Sequence, residues 1–242
     1  MAKKSIKVDN KDYEISYELV NPTAKKDFVV LHGWGSNKEI MKNSFSSYLK
    51  DYRHIYIDMP GFGKSPTSYE LTTPLYAKIL EVFLTELNSS KEIIAGHSYG
   101  GKVATLLKPK YLVLLSSAGI LEEKAFDVKV KIAISKFFNS IGLGGITKAF
   151  RSKDVNTMSE NMYATFKNVV NEDFSSNFKA FENQALIFWG EKDTATSLDS
   201  GKKIASLINN STFISYDGDH YFFAKNAKDI CERIENAIPW IF

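Results

Sequence analysis

Hydrophobic and polar residues alternate near the start of the chain, which is typical of an exposed β-hairpin. The alternation covers residues 6–9 and 13–19, and a turn-like polar stretch at 9–12 lies between them. A short continuous apolar run follows at 28–31. Such runs are typical of strands that helices cover on both faces, as in a parallel sheet.

The same kind of apolar run recurs later in the chain, and helical patterns separate most of these runs. Further strands are predicted at 55–57, 93–95, 111–115, 185–188 and 212–215. Helices are predicted at 39–49, 74–87, 99–107, 197–208 and 222–238. Strands that alternate with helices after a leading hairpin predict an α/β fold with a mostly parallel sheet and an antiparallel edge.

The alternation is interrupted between residues 119 and 183. No strand pattern occurs there, and apolar residues recur at helical spacing with several glycines between them. We therefore expect a helical insertion, a cap or lid, at 119–183. The core would then consist of residues 1–118 and 184–242.

Composition and charge narrow the classes of function. A chain of 242 residues can bury a sizeable core without disulfides or metal. It has one cysteine and four histidines without helical metal-site spacing, so we expect neither a disulfide framework nor a metal site. A net charge of +3 is too small to indicate nucleic-acid binding. Because we find no signal peptide and no membrane-spanning apolar run, we expect a soluble cytoplasmic protein.

Gly96-His97-Ser98-Tyr99-Gly100 matches the G-x-S-x-G pattern of a nucleophile elbow. The pattern alone is weak, because a glycine-rich turn can contain an incidental serine. Here it lies between a predicted strand and a predicted helix, which is the setting that the elbow requires. We therefore predict Ser98 as a catalytic nucleophile.

A serine nucleophile needs a general base, and the base needs a carboxylate that orients it. His220 is the one histidine after Ser98, and it follows a predicted strand at the carboxyl edge of the sheet. Its plain alternative role is to cap the next helix. We predict Asp193, which follows the strand at 185–188, as the acid. The competing acids are Glu191, the nearest rival, and Asp199, Asp217 and Asp219.

His32-Gly33-Trp34-Gly35 follows the apolar run at 28–31. We predict that the backbone N–H groups of Trp34 and Tyr99 form an oxyanion hole. The Trp34 ring would line the pocket, or in the plainer interpretation it would be a core tryptophan. His32 and His97 are predicted to be structural, through hydrogen bonds to the strained loops.

Five sequence blocks together resemble the α/β-hydrolase superfamily and occur in that family's order. They are 31–35 (LHGWG), 58–65 (DMPGFGKS), 96–101 (GHSYGG), 189–193 (WGEKD) and 218–220 (GDH). The resemblance implies the α/β-hydrolase fold, an eight-stranded sheet with a cap after the sixth strand, and a serine triad. It also implies that 58–65 is a structural turn beside the active site.

Within this superfamily, Ser98 argues against haloalkane dehalogenases and epoxide hydrolases, which have aspartate at the elbow. The HGWG block is similar to the carboxylesterases that remove the methyl ester from the pimeloyl carrier-protein intermediate of biotin synthesis. The resemblance implies a serine hydrolase of carboxylic esters or thioesters that needs no cofactor. Two alternatives stay open: a carbon–carbon bond hydrolase of the 2-hydroxy-6-oxo-dienoate type, and a small-molecule receptor with a slow triad.

The predicted cap is electrically polarised. Residues 124–153 carry a net charge of +6, whereas residues 154–182 carry a net charge of −3. The plain interpretation is that these lysines form solvated faces of amphipathic helices. The sharper hypothesis is that the basic half attracts an anionic substrate or an acidic carrier protein that bears the acyl chain.

Overall fold

One eight-stranded sheet organises the computed structural model, which describes residues 1–122 and 159–238. Its strands are β1 Ala2–Val8, β2 Lys11–Val20, β3 Lys26–Leu31, β4 Tyr52–Ile57, β5 Ile93–His97, β6 Tyr111–Leu115, β7 Gln184–Gly190 and β8 Ser211–Tyr216. Across the sheet the order is β1-β2-β4-β3-β5-β6-β7-β8. β1 and β2 form an antiparallel edge, and the other six strands run parallel. The predicted fold class is confirmed.

Helices cover both faces of this sheet. In the described residues they are α1 Lys38–Phe45, α2 Thr73–Glu86, α3 Tyr99–Leu106, α4 Glu160–Val170, α5 Ser175–Lys179, α6 Leu198–Leu207 and α7 Phe223–Ala237. One apolar cluster packs α2, α3 and α6 against the sheet, and a second packs α1 and α7 against the opposite face. Because both faces are covered, every residue of the central strands β5 and β6 is buried.

Polar side chains fix where three of these helices begin. Asn37 accepts a hydrogen bond from the Glu39 N–H, Thr72 from the Leu75 N–H, and Ser197 from the Ser200 N–H. The predicted end of the first helix at residue 49 is wrong, because α1 ends at Phe45. Leu49 has the left-handed φ of 46°, which a continuing helix does not allow.

The described part of the predicted insertion contains α4 and α5 between β6 and β7. One face of α4 docks on the core loop at residues 67–71. The Asn161 side chain donates to the Thr67 carbonyl (3.0 Å), and Thr165 Oγ1 accepts from the Leu71 N–H (2.9 Å). Residues 123–158 lie outside the described residues, so the cap boundaries at 119–183 stay a prediction, as does the role of the basic half.

The chain changes direction across the sheet between β3 and β5. After β3 it proceeds to β4 on one side, and after β5 it proceeds to β6, β7 and β8 on the other. Such a switch point opens a crevice at the carboxyl ends of the strands, where ligands bind in open α/β sheets. In residues 1–122 and 159–238, no helix combines the length and apolar character that crossing a membrane requires.

Candidate active site

Ser98 occupies a strained turn between β5 and α3. Its φ of 51° and ψ of −117° are unfavourable for a residue with a side chain. Its backbone N–H donates to the Leu115 carbonyl at the end of β6 (3.1 Å). A Cβ on Gly96 would lie 2.3 Å from the Gly100 carbonyl oxygen, so glycine is required at the point where the end of β5 approaches the start of α3.

His220 and Asp193 lie close together because the loops after β7 and β8 are hydrogen-bonded to each other. The Lys192 N–H donates to the Gly218 carbonyl (2.9 Å). A Cβ on Gly190 would lie 2.3 Å from the Asp219 carbonyl oxygen, so glycine is required for this approach. His220 Nδ1 then donates to Asp193 Oδ2 at 2.7 Å. This bond assigns the proton to Nδ1 and leaves Nε2 able to accept one.

The Asp193 carboxylate is buried but well supplied with donors. Its Oδ1 accepts from the Ala195 N–H (2.8 Å) and the Thr196 N–H (3.0 Å). Burial raises the pKa of Asp193, but His220 and the hydrogen bonds from Thr196 and Ser116 together lower it by more, so the pKa lies below its ordinary value. The carboxylate therefore stays ionised and can stabilise an imidazolium on His220.

The rival acids have partners other than the His220 ring. The Glu191 carboxylate accepts from Ser215 Oγ (2.7 Å) at the surface, and Asp219 accepts from the Tyr221 N–H (2.9 Å). Asp217 pairs with Lys192, and Asp199 pairs with Lys202, both in exposed positions. Of the acids considered from the sequence, Asp193 is the one that hydrogen-bonds the His220 ring in the described residues.

His97 holds the main chain at His220. Its Nε2 donates to the His220 carbonyl oxygen (3.0 Å), and its ring lies 4.6 Å from the His220 ring, centroid to centroid. Burial, and secondarily the neighbouring His220, hold the pKa of His97 well below its usual value. The His97 ring is thus neutral and fixes a strained loop, which agrees with its predicted structural role.

His32 fixes the loop after β3. Its Nδ1 donates to the Gly33 carbonyl (2.8 Å), and its Nε2 accepts from the Met59 N–H (3.0 Å). Burial lowers the pKa of His32 to about 4, so the ring is neutral. A Cβ on Gly33 would lie 3.0 Å from Ser98 Cβ, which shows how closely this loop approaches the elbow.

The backbone N–H groups of Trp34 and Tyr99 take part in none of the turn and loop backbone hydrogen bonds of residues 1–122 and 159–238. Tyr99 is the first residue of α3, where an N–H group is unpaired within the helix and the helix dipole favours negative charge. Both groups belong to loops that converge on Ser98. Such N–H groups can donate hydrogen bonds to the negatively charged oxygen that would form if Ser98 Oγ added to a carbonyl carbon.

The Trp34 ring lies between the core and α4. It is partly buried and contacts Phe62, Tyr99 and Phe166, with ring centroids 4.8, 5.7 and 5.4 Å away. Trp189, by contrast, is fully buried. Trp34 is therefore at the boundary with the insertion rather than in the interior of the core.

Two further groups near the site carry no recognisable sequence signal. The Lys38 side chain is buried and its Nζ donates to Asp58 Oδ2 (2.7 Å), beneath the loop after β3. The Thr196 hydroxyl donates to Asp193 Oδ2 (2.9 Å). Thr196 lies three residues after Asp193, a spacing at which a side chain can close a turn on a carboxylate. No cluster of three or more His, Cys, Asp or Glu side chains that could hold a metal occurs in the described residues.

The chain is similar in sequence to a known protein family and to individual proteins. Residues 28–225 match the family described as the alpha/beta hydrolase family. An uncharacterised hydrolase, YugF of Bacillus subtilis, is 23% identical over 235 residues, which cover 83% of this chain and 85% of YugF. The pimeloyl-[acyl-carrier protein] methyl ester esterase of Wigglesworthia glossinidia brevipalpis is 26% identical over 200 residues, covering 78% of this chain and 70% of the esterase.

Two solved structures share the fold. A thermophilic esterase from Thermogutta terrifontis superposes with a TM-score of 0.76 and 17% identity, covering 98% of each chain. The enol-lactonase from Burkholderia xenovorans LB400 superposes with a TM-score of 0.77 and 14% identity, covering 96% of this chain and 98% of the lactonase.

Proposed function

Because the chain belongs to the alpha/beta hydrolase family, we propose that this hydrolase cleaves carboxylic esters through an acyl-enzyme on Ser98. One observation carries the proposal: the 2.7 Å hydrogen bond from His220 to Asp193, formed at the same edge of the sheet as the Ser98 elbow. A serine hydroxyl is a weak nucleophile, and an oriented, neutral histidine is the group that activates it.

The proposed reaction has two stages. His220 Nε2 takes the proton from Ser98 Oγ as Oγ bonds to the ester carbonyl carbon, and the carbonyl oxygen becomes an oxyanion. The oxyanion accepts hydrogen bonds from the Trp34 and Tyr99 N–H groups. When the carbonyl re-forms, the bond to the alkoxy oxygen breaks and that oxygen takes the proton from His220. Water then attacks the acyl-enzyme in the same way, which releases the acid and restores Ser98.

Charge in the site supports this sequence of steps. Asp193 is anionic, and His32 and His97 are neutral because they are buried. A second imidazolium beside His220 would oppose proton uptake from Ser98. With the adjacent His97 ring neutral, His220 takes up the proton next to the Asp193 carboxylate.

Ser98→Ala tests the proposal directly. We expect it to abolish hydrolysis of p-nitrophenyl esters, by about 10⁴-fold or more in kcat, and to abolish labelling by a fluorophosphonate probe. Ser36→Ala is the matched control, because Ser36 is also buried and its hydroxyl has no partner among the described residues. Labelling that persists in Ser98→Ala would place the nucleophile elsewhere. Wild-type binding of an ester without turnover would favour the receptor alternative.

A carrier-borne ester is the substrate class that we propose, because a relative is named for an ester on an acyl-carrier protein. The basic side chains within residues 124–153 would supply the complementary charge for an acidic carrier. Residues 124–153 lie outside the described residues. We expect kcat/KM for a carrier-borne ester to fall as salt rises, while a small neutral ester is unaffected.

Lys129→Glu with Lys136→Glu should reproduce that loss at low salt. The small neutral ester serves as the control substrate for the double variant. Equal salt responses for the two substrates, with no effect of the charge reversals, would return these lysines to the role of solvated helix faces.

A further inference from the structure

The Thr196 hydroxyl lies at the junction of the acid, the base and the end of β6. Its Oγ1 is 2.9 Å from Asp193 Oδ2, 3.5 Å from His220 Nδ1 and 3.2 Å from the Ser116 carbonyl oxygen. Thr196 is only 2% exposed, so the hydroxyl satisfies its hydrogen bonds within the protein.

The single hydroxyl proton points to the carboxylate. Asp193 Oδ2 is both closer than the Ser116 carbonyl and negatively charged, and hydrogen bonds to ionised acceptors are the stronger ones. Asp193 Oδ2 therefore accepts hydrogen bonds from the base and from Thr196, and the Ser116 side chain also interacts with this carboxylate. Oδ1 accepts the two backbone N–H groups of Ala195 and Thr196.

We propose that Thr196 is a positioning residue for the Asp193–His220 pair, which rests on the proposed function. Rotation about the last side-chain bond of aspartate is soft. The two backbone donors hold Oδ1, and the Thr196 hydroxyl holds Oδ2, so the plane of the carboxylate is fixed. That plane fixes the direction of the His220 ring. The hydroxyl also disperses the negative charge that faces His220.

The hydroxyl can be removed without disturbing the loop. The Thr196 carbonyl accepts from Trp189 Nε1 (3.0 Å), and the Thr196 N–H donates to Asp193 Oδ1 (3.0 Å), so both anchors are main-chain groups that a valine also has. Valine has the same shape as threonine, so Thr196→Val removes one hydrogen-bond donor and leaves the backbone anchors. Thr196→Ser keeps the donor and removes only a methyl group.

The test compares kcat, KM and the pH profile of kcat/KM for a small neutral ester in these two variants. We expect Thr196→Val to lower kcat about 10- to 100-fold, the effect of losing one hydrogen bond to a charged group, with KM nearly unchanged. The uncompensated charge on Oδ2 should favour the protonated pair, so the acid limb of kcat/KM should move to higher pH. Thr196→Ser should restore both the rate and the profile.

Thr105→Val is the matched control, because Thr105 is equally buried and its hydroxyl donates only within α3. The proposal is wrong if Thr196→Val keeps the wild-type kcat and pH profile, whatever its stability. It is also wrong if Thr196→Ser fails to restore activity, because the methyl group would then be responsible. Loss of all activity in Ser98→Ala together with a silent Thr196→Val would overturn this inference alone. Activity that survives Ser98→Ala would overturn the proposed function itself.

Discussion

Two buried aspartates follow parallel strands at the same edge of the sheet, yet they have different partners. Asp58 follows β4 and accepts from Lys38 Nζ and from the Lys38 and Lys64 N–H groups. Asp193 follows β7 and accepts from His220. For each, burial raises the pKa and hydrogen bonds lower it to a value below the ordinary one.

The two pairs differ in what the side chain opposite the aspartate can do with a proton. The lysine ammonium only donates hydrogen bonds, so the Lys38–Asp58 pair acts as a fixed clamp under the loop after β3. A histidine ring can both accept and donate a proton, so the Asp193–His220 pair can take part in a reaction. Two similar carboxylates thus perform a structural task and a proposed chemical one, according to the side chain opposite each.

The largest expected effect is on catalysis at Asp193. Asp193→Asn keeps the size of the side chain but presents an amide to His220 Nδ1, which favours the wrong tautomer. We expect kcat to fall about 10⁴-fold while the fold is retained. Steady-state kinetics and circular dichroism measure both, and Asp217→Asn, an exposed aspartate in a neighbouring loop, is the control.

At Asp58 we expect loss of stability instead. Asp58→Asn leaves the Lys38 ammonium buried, with 1% of its side chain exposed, and with only the half-exposed Glu39 carboxylate, 3.5 Å away, as a counter-charge. Removing one partner of a buried ion pair costs about 3–5 kcal/mol. Urea unfolding should show this loss, and kcat of the folded fraction should fall far less than in Asp193→Asn. A stable Asp58→Asn with a 10⁴-fold lower kcat would show that Asp58 acts in the chemistry.

The smallest effect concerns His32. Burial lowers its pKa to about 4, although the hydrogen bond to Gly33 and the Asp58 charge act in the opposite direction. In the unfolded chain the histidine ring binds a proton near pH 6.5, whereas in the folded chain it does so only near pH 4. The neutral His32 ring therefore contributes its full stabilisation of the fold above pH 6.5. The contribution is lost as pH falls toward 4. We expect about 2 kcal/mol less stability at pH 5 than at pH 7 from this group. In His32→Gln the decline should be smaller by that amount, and an unchanged decline would assign it to other groups.

Much of this architecture follows from short-range sequence patterns. The sequence predicts the strand at 111–115 with its observed bounds, because five apolar residues lie between polar ones. His220 is identifiable because no other histidine follows Ser98. Asp193 and Glu191 both follow β7, and only the turn geometry places one of them against His220.

The groups that sequence reasoning missed share a cause. Lys38 looks like a solvated residue at the start of a helix, and Thr196 looks like any loop threonine. Their burial depends on contacts with residues 58 and 116, which are 20 and 80 positions away. Single polar residues carry no pattern that reveals such partners.

The docking of α4 has a consequence for how this enzyme can evolve. Asn161 donates to the carbonyls of Thr67 and Tyr69, Thr165 accepts from the Leu71 N–H, and Asn168 donates to the Leu71 carbonyl. These contacts meet the main chain of the loop, which stays the same when its side chains change. We therefore expect an exposed loop position such as Ser68 to drift freely among descendants of this chain, whereas Asn161, Thr165, Asn168 and the buried Leu71 are held in place by selection.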